Sequence, residues 1–335
     1  MSRQAVLALL REREGDFVSG GEIGRRLGLS RAAVWKAVEG LRQDGYTVEA
    51  RTGLGYRLEA APDAMTEPEI RRFLEQTAVV GRRLICLESV DSTNLYARQL
   101  AMAGAADGTV VTADRQTAGR GRLGRDFQSP GGLGIYLTAL LRPDLPPERL
   151  SPLTAMAGVG VCRAVERVCG LSPGLKWPND PVLDGRKLCG ILTELSLEGE
   201  TGRVDHVALG IGVNVLQRPE DFGPEVREMA TSLAQALGRP VSRPALAAEL
   251  IRETDRLYAA LRSGALEPYL AEYRRRCVNL GRTVRLLSPG GAAGETAEAL
   301  DIDGDFGLVV RAADGRVRTV RSGEVSVRGM YGYTE

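Results

Sequence analysis

Gln116-Thr117-Ala118-Gly119-Arg120-Gly121-Arg122-Leu123-Gly124-Arg125 contains the spacing G-x-G-x-x-G, and the fold turns on how that spacing is read. In a dinucleotide-binding βαβ unit the glycines follow a strand directly and open a helix whose N-terminus takes the pyrophosphate. Here the nearest apolar strand-like run, 109–113, ends before the glycines. Asp126-Phe127-Gln128-Ser129-Pro130-Gly131-Gly132, after them, reads as loop. The dinucleotide reading fails. Three arginines among three glycines describe instead a mobile loop that closes over an anion: the glycines let backbone amides approach, and the guanidiniums fork onto phosphate or carboxylate oxygens. A solvated basic loop is the plainer alternative.

Outward from the loop, apolar runs at 84–87, 134–141, 187–197 and 207–215 join 109–113 as predicted strands. Helical spacing at 67–75, 93–103, 152–168, 243–263 and 267–276 intervenes. Within this α/β stretch lie Lys176-Trp177-Pro178-Asn179-Asp180 and Arg186-Lys187-Leu188-Cys189-Gly190-Ile191-Leu192. Of 44 basic residues only Lys36, Lys176 and Lys187 are lysine. Under an arginine-biased composition, a lysine that only supplies charge is readily replaced, whereas one presenting a compact ammonium to a pocket is not. Lys176 and Lys187 are therefore site candidates, with Asp180 as a carboxylate for a divalent cation and Asn179 beside it. Gly190 permits close ligand approach. A Pro-Asn-Asp turn with an edge lysine is the plainer reading of the same residues.

Asp91-Ser92-Thr93-Asn94 opens the helix at 93–103, with Asp91 or Ser92 as its cap; amides at a helix N-terminus also bind polar ligand groups. Gly210-Ile211-Gly212-Val213-Asn214-Val215 sets two glycines and one asparagine in an apolar strand, which fits a close ligand wall. The loop after it, to about Met229, is placed to form a nucleotide lid.

Residues 1–62 read as a separate module. Val6, Leu7 and Leu10 have helical spacing, a helix is predicted at 22–27, Gly28-Leu29-Ser30 makes a tight connection, and a second helix runs over 31–44 with Ser30 as its cap. Two β-like runs follow, at 46–50 and 56–58, so the pattern is a winged helix-turn-helix. Ser30, Arg31, Lys36 and Arg42 on or beside the second helix, and Arg51 and Arg57 on the wing, are the candidate DNA contacts. A helix-turn-helix used only for packing is the alternative. From Asn279 the chain turns all-β, with runs at 283–287, 295–302, 307–311, 317–321 and 324–328, which predicts a small SH3-like barrel. The expected organisation is thus α/β multidomain: a winged helix at 1–62, a central α+β catalytic domain at 66–278 and a barrel at 279–335.

Composition narrows the chemistry. A net charge of +1 supplies no global field for nucleic acid or membrane, so such binding needs a local patch. Five cysteines without C-x-x-C spacing and one histidine make neither a zinc site nor a disulfide framework, and predict a reduced, cytoplasmic protein. Arg3, Arg11, Glu12, Arg13 and Glu14 around a short apolar stretch do not form a signal peptide, and no apolar run approaches the ~18 residues of a membrane span. A lone His206 removes most triad chemistry.

With these motifs assembled, the chain resembles the bifunctional biotin–protein ligases of the biotin-repressor type over essentially its whole length. The matching pieces are the winged helix, G-R-G-R-x-G-R, K-W-P-N-D, R-K-L-x-G-I-L, G-I-G-x-N and the small C-terminal barrel. The resemblance implies activation of biotin by MgATP to biotinyl-5′-AMP, then transfer to one lysine of a biotin carboxyl carrier protein, an acetyl-CoA carboxylase subunit or another biotin carrier domain. It also implies a biotin-responsive repressor of biotin synthesis genes that binds operator DNA as a ligand-promoted homodimer. Ser92, Thr93, Asn94, Gln116, Arg120, Gly121, Arg122 and Lys187 are implied around biotin and its activated carboxyl group, with Gly119 and Gly190 added as close-approach glycines. Arg125, Phe127, Asn179, Asn214 and Arg328 are implied near the adenylate, with Lys176 added as a second compact cation. The family often has Trp where Phe127 stands; the smaller ring still offers a face to adenine.

The chemistry fits these residues on its own terms. Attack of a carboxylate on an α-phosphate needs positioning and cations that neutralise developing charge, not a histidine. Lys187, Arg120 and Arg122 are the catalytic candidates, with Mg²⁺ near Asp180. A lipoate or octanoate ligase of the same fold, or a repressor that senses biotin without transferring it, are the competing readings; the appended winged helix argues against the first, and Lys187 with the arginine loop against the second.

Overall fold

The apolar segment 134–141 organises the larger part of the molecule. In the computed structural model this segment is buried throughout. Ile135, Leu137, Ala139 and Leu141 belong to the main core, while Leu140 packs with Ala101 and Ala105 on the other side. A strand buried on both faces is the centre of a layered structure. The structure describes residues 2–13, 15–199, 201–287, 295–321, 326–329 and 334, with backbone alone at Leu123 and 326–329. Packing divides the chain into two compact units, Met1–Ala64 and Met65–Glu335.

The first unit contains α1 (Ser2–Glu12), α2 (Gly20–Leu27), α3 (Arg31–Gln43) and the antiparallel pair β1 (Thr47–Arg51) and β2 (Gly55–Ala60). Val6, Leu10, Ile23, Val34, Val38 and Leu41 close its core. The helix-turn-helix is set by caps. Ser19 Oγ accepts from Glu22 N at 3.1 Å, so α2 begins two residues before the predicted start. Gly28 ends α2 at φ +66°, a left-handed conformation suited to glycine, and Ser30 Oγ then accepts from Ala33 N at 3.2 Å to start α3.

The second unit runs α4 (Glu67–Phe73), β3 (Leu84–Val90), α5 (Thr93–Met102), β4 (Thr109–Gln116), β5 (Gly134–Leu141), α6 (Leu153–Cys169), β6 (Gly174–Lys176), β7 (Asp180–Leu183), β8 (Arg186–Lys187), β9 (Cys189–Leu197) and β10 (Val204–Asn214). It continues with α7 (Leu233–Leu237), α8 (Arg243–Ser263), α9 (Glu267–Arg276), β11 (Thr283–Leu287), β12 (Glu295–Ile302), β13 (Leu308–Ala312), β14 (Val317–Val320) and β15 (Ser326–Gly329). The central sheet has the order β3-β4-β5-β10-β9; only β3 and β4 are parallel. Helix α5 packs on β4, β5 and β10, while α8 packs on β5 and α6 on β9.

The predicted strand at 187–197 is two strands. Lys187 pairs with Val182 in a separate sheet of order β6-β7-β8, Leu188 is fully buried, and β9 starts at Cys189. The K-W-P-N-D segment is a turn at Trp177, Pro178 and Asn179 that links strands β6 and β7, and Lys187 lies on the edge strand β8. The C-terminal module is an antiparallel sheet of order β14-β13-β12-β11-β15. Of the predicted strand at 324–328, Glu324 and Val325 lie outside the described residues. Trp177 ties this module to the site segment: its Nε1 donates to Phe306 O at 2.9 Å, and its backbone N to Asn279 Oδ1 at 2.7 Å. No helix among the described residues is long and apolar enough to cross a membrane, and all five cysteines are free thiols.

Candidate functional site

Glycines shape the floor of the cleft. Leu209, Ile211 and Val213 of β10, with Cys189 and Ile191 of β9, face the main core. Alternation therefore turns Gly210, Gly212 and Asn214, with Gly190, Leu192 and Glu194, to the opposite side. Register aligns Tyr136, Gly212 and Gly190 in one row and Thr138, Gly210 and Leu192 in the next. With no side chains at three of these positions the sheet surface is a trough. A Cβ on Gly212 would stand 2.6 Å from Phe127 Cε1, and one on Gly190 3.2 Å from Phe127 Cε2. A Cβ on Gly210 would overlap the Asn94 carboxamide.

Over this trough lies a cleft of about 870 Å³, within the range of small-ligand sites. Its wall gathers Ser92, Thr93, Asn94 and Gln116 from one side, Arg120, Gly121, Arg122, Arg125 and Phe127 from the glycine loop, and Lys176, Asn179, Asp180, Lys187 and Asn214 from the other. Residues 222–226, with Met229 and Ala230, also contribute, so the segment read as a lid borders the same space. Gly119 is not on the wall. A Cβ there would overlap the Phe127 carbonyl, so its glycine serves a backbone crossing at the loop's base. Arg328 sits in β15, opposite Arg285, and its side chain lies outside the described residues.

One side of the cleft is rigid. Lys176 pairs with Asp180 across β6 and β7, and Lys187 Nζ donates to Asp180 Oδ1 at 2.7 Å. Lys187 is also held by its backbone, its N donating to Met229 O at 2.6 Å and its O accepting from Thr231 N at 2.9 Å. Asn179 is buried; its Nδ2 donates to Ile191 O at 2.8 Å, and its Oδ1 accepts from Arg122 Nη1 at 2.7 Å. Burial lowers the Arg122 pKa, Asp180 opposes that shift, and Arg125 adds to it. Burial likewise raises the pKa of the Tyr136 hydroxyl, which donates to Pro130 O at 2.9 Å.

The opposite side is a buried polar network. Thr93 N donates to Gln116 Oε1 at 2.8 Å, so a strand residue 23 positions away satisfies the start of α5. Ser92 holds the N-cap position but makes no side-chain capping bond, and the Asp91 carboxylate accepts from Ser92 N rather than from an amide of the helix. Thr138 Oγ1 reaches Asn94 Oδ1 at 2.6 Å, and Asn94 Nδ2 donates to Glu194 Oε2 at 2.9 Å. Glu194 Oε1 then accepts from Arg120 Nη1 at 3.3 Å. Sequence reasoning missed both Thr138 and Glu194. Phe127 fills the trough over Gly190 and Gly212, edge-on to Tyr136 with centroids 6.4 Å apart, rather than lining an open stacking slot.

Asp180 is the only carboxylate among the proposed metal ligands, and it is the counter-ion of Lys187. Among the described residues no cluster of three His, Cys, Asp or Glu side chains forms a metal cage.

On the winged helix, Arg31 and Lys36 are exposed on α3, and neither forms an ion pair among the described residues. Ser30 is committed as a cap. Arg42 is structural rather than a free DNA contact, since its Nη2 donates to Val48 O at 2.7 Å and its Nη1 to Glu39 at 2.6 Å. Arg51 and Arg57 both bind Glu49 and stack on Phe17, which neutralises the wing.

Comparison with known proteins fits this geometry. The profile of the Biotin/lipoate A/B protein ligase family matches residues 86–214, an HTH domain matches 2–57, and the Biotin protein ligase C terminal domain matches 280–328. The bifunctional ligase/repressor BirA of Bacillus subtilis (strain 168) is 36% identical over 325 residues, 97% of this chain and 98% of that protein. Its counterpart in Escherichia coli (strain K12) is 30% identical over 323 residues, 96% of each. Among solved structures, biotin protein ligase from Aquifex aeolicus in complex with biotin and ATP superposes with a TM-score of 0.63 at 30% identity, covering 74% of this chain and 99% of that one.

Proposed function

The chain belongs to the family of bifunctional biotin–protein ligases and repressors, and we propose that the cleft described above carries both half-reactions of ligation. The observation that carries this reading is the meeting of Lys187, Asp180, Asn179 and Arg122 beside a glycine-floored trough. In the first half-reaction a biotin carboxylate oxygen attacks the α-phosphorus of ATP. The new bond is acyl–O–P, the α–β bridging bond breaks, and pyrophosphate leaves. Lys187, fixed by strand pairing and by Asp180, neutralises charge on the reacting oxygens without reorganising. Arg120 and Arg122 close from the loop, and Lys176 and Asn179 hold the nucleotide side, with Arg125, Asn214 and the segment 222–230 around the adenylate. In the second half-reaction a carrier lysine amine attacks the acyl carbon, an amide forms, and AMP leaves.

The residues fit Mg²⁺ in one mode only. The ion would be held mainly by nucleotide phosphates, with Asp180, already the counter-ion of Lys187, as its protein ligand, the mode usual for this metal. When bound, it supplies further neutralisation of phosphate charge. Ser92, Thr93, Asn94 and Gln116, as a preorganised set of hydrogen-bonding groups, suit the polar ring of biotin.

On this reading residues 1–62 bind operator DNA, 66–278 carry ligation and 279–335 support the site segment through Trp177. The protein works in the cytoplasm, and two copies associate when ligand is bound, matching paired half-sites on DNA. The test is mass spectrometry of a carrier domain incubated with the protein, MgATP and biotin. One added biotinyl group on a single lysine is expected. No label, or equal labelling with lipoate or octanoate, would overturn the assignment.

A further inference from the structure

Trp35 is the largest exposed apolar side chain of the first unit, 58% accessible, whereas the chain's other tryptophan, Trp177, is 2% accessible. It stands on α3 with Arg31, Ala32 and Lys36, residues that share one face at helical spacing and are all exposed. Also on that side, Glu39 has its charge covered by Arg42 at 2.6 Å, and Gln43 is uncharged. The face is therefore an apolar ring flanked by two cations, with no bare carboxylate. The wing offers no such surface, because Arg51 and Arg57 are tied to Glu49 and to the Phe17 ring.

We propose that Trp35 is a base-reading residue, whose indole contacts the C5-methyl edge of a thymine in the major groove while Arg31 and Lys36 meet the flanking phosphates. The inference rests on the DNA-binding reading above. An indole carries one donor and otherwise apolar surface, and the thymine methyl is the one apolar group displayed on the major-groove edge of the bases. The charges beside it complement a phosphate backbone, and contacts to phosphate position a helix without specifying sequence. Sequence preference on this face falls to Trp35.

The experiment uses the full chain with biotin and MgATP. Duplexes are selected from a random pool, and each thymine of the enriched duplex is then replaced by uracil, which removes only the methyl group. The expected result is one or two thymines whose methyl loss weakens wild-type binding about tenfold. Trp35→Ala should lose a similar factor on the thymine duplex and show no further loss on uracil, while Trp35→Phe recovers part. Indole fluorescence should change on DNA binding in the wild type and not in Trp35→Phe, since Trp177 is buried. The exposed position predicts unchanged thermal unfolding for both variants. Trp35→Ala with undiminished affinity and the same thymine dependence would overturn the proposal. So would a variant altered only in sedimentation, which would make the ring a protein contact. If the wild type enriches no duplex, the DNA-binding reading falls, and this inference with it.

Discussion

Segment 176–190 and loop 117–128 send cations into the same cleft but are anchored differently. Lys187 is fixed through its own backbone to Val182, Met229 and Thr231, and its ammonium through Asp180. Past Thr117 and Ala118, whose amides donate to Val90 O and Asp91 O, the loop's backbone bonds close on the loop itself, as in Gly121 N to Arg125 O at 2.7 Å and Phe127 N to Gly119 O at 2.9 Å. Its ties to the cleft are side chains: Arg120 on Glu194, Arg122 on Asn179, and Phe127 in the trough. A charge held by backbone is present before substrate arrives. Arginines held by exchangeable acceptors can leave them for an anion. The lysines are thus the standing part of the site, and the arginine loop the part that responds.

The largest effect should come from breaking the fixed half. Lys187→Ala should lower biotinyl-adenylate formation roughly 10²–10³-fold with the fold intact, measured by ATP–pyrophosphate exchange. Lys187→Arg should rescue poorly, because a planar guanidinium does not fit where an ammonium meets Asp180. Near-wild-type exchange by the arginine variant would erase the distinction between the two halves.

Breaking the responsive half should spare chemistry more than retention. Arg122→Gly removes the bond to Asn179 and one closing cation, so the adenylate should dissociate roughly tenfold to a hundredfold faster, in line with a lost charged hydrogen bond. Nearby lysines should then be labelled indiscriminately, and ligand-promoted dimerisation should weaken. Tight retention of the intermediate by this variant would contradict loop closure; fast release with full dimerisation would contradict only the link to repression.

A smaller change sharpens the comparison. Glu194→Gln releases Arg120 from a half-exposed pair, an interaction worth about 1 kcal/mol or less. Trypsin should cut the ligand-free variant at the loop arginines a few-fold faster than wild type, and the difference should vanish with biotin and MgATP. Smallest of all is the expected effect on ligation of deleting residues 1–62. DNA binding should disappear while carrier labelling stays near wild type, because the two units have separate cores. Loss of ligation would show that the winged helix orders the loop.

The sequence announced its anchors unevenly. The glycine loop, the lysine pair and the G-I-G-x-N strand were legible because composition and spacing are local. The β6-β7-β8 sheet was not, since strands of two to four residues broken by Pro178 and Pro181 carry no alternation. One signal was there: Asp184-Gly185, both at positive φ, is the D-G pair of a two-residue hairpin and would have separated Lys187 from β9. Glu194 was hidden because its partner Arg120 is 74 residues away and a carboxylate on a strand looks like a solvated face. Arg42 looked available for DNA because its main acceptor is a backbone carbonyl, Val48 O, which no sequence pattern displays.

Amide hydrogen exchange on the full-length protein, with and without biotin and MgATP, tests the central division most directly. The account predicts slow exchange at Lys187 and its strand neighbours in both states, and a large gain in protection across 117–128 only when both substrates are present. Equal protection gained by the two segments, or a loop already protected without ligand, would contradict it.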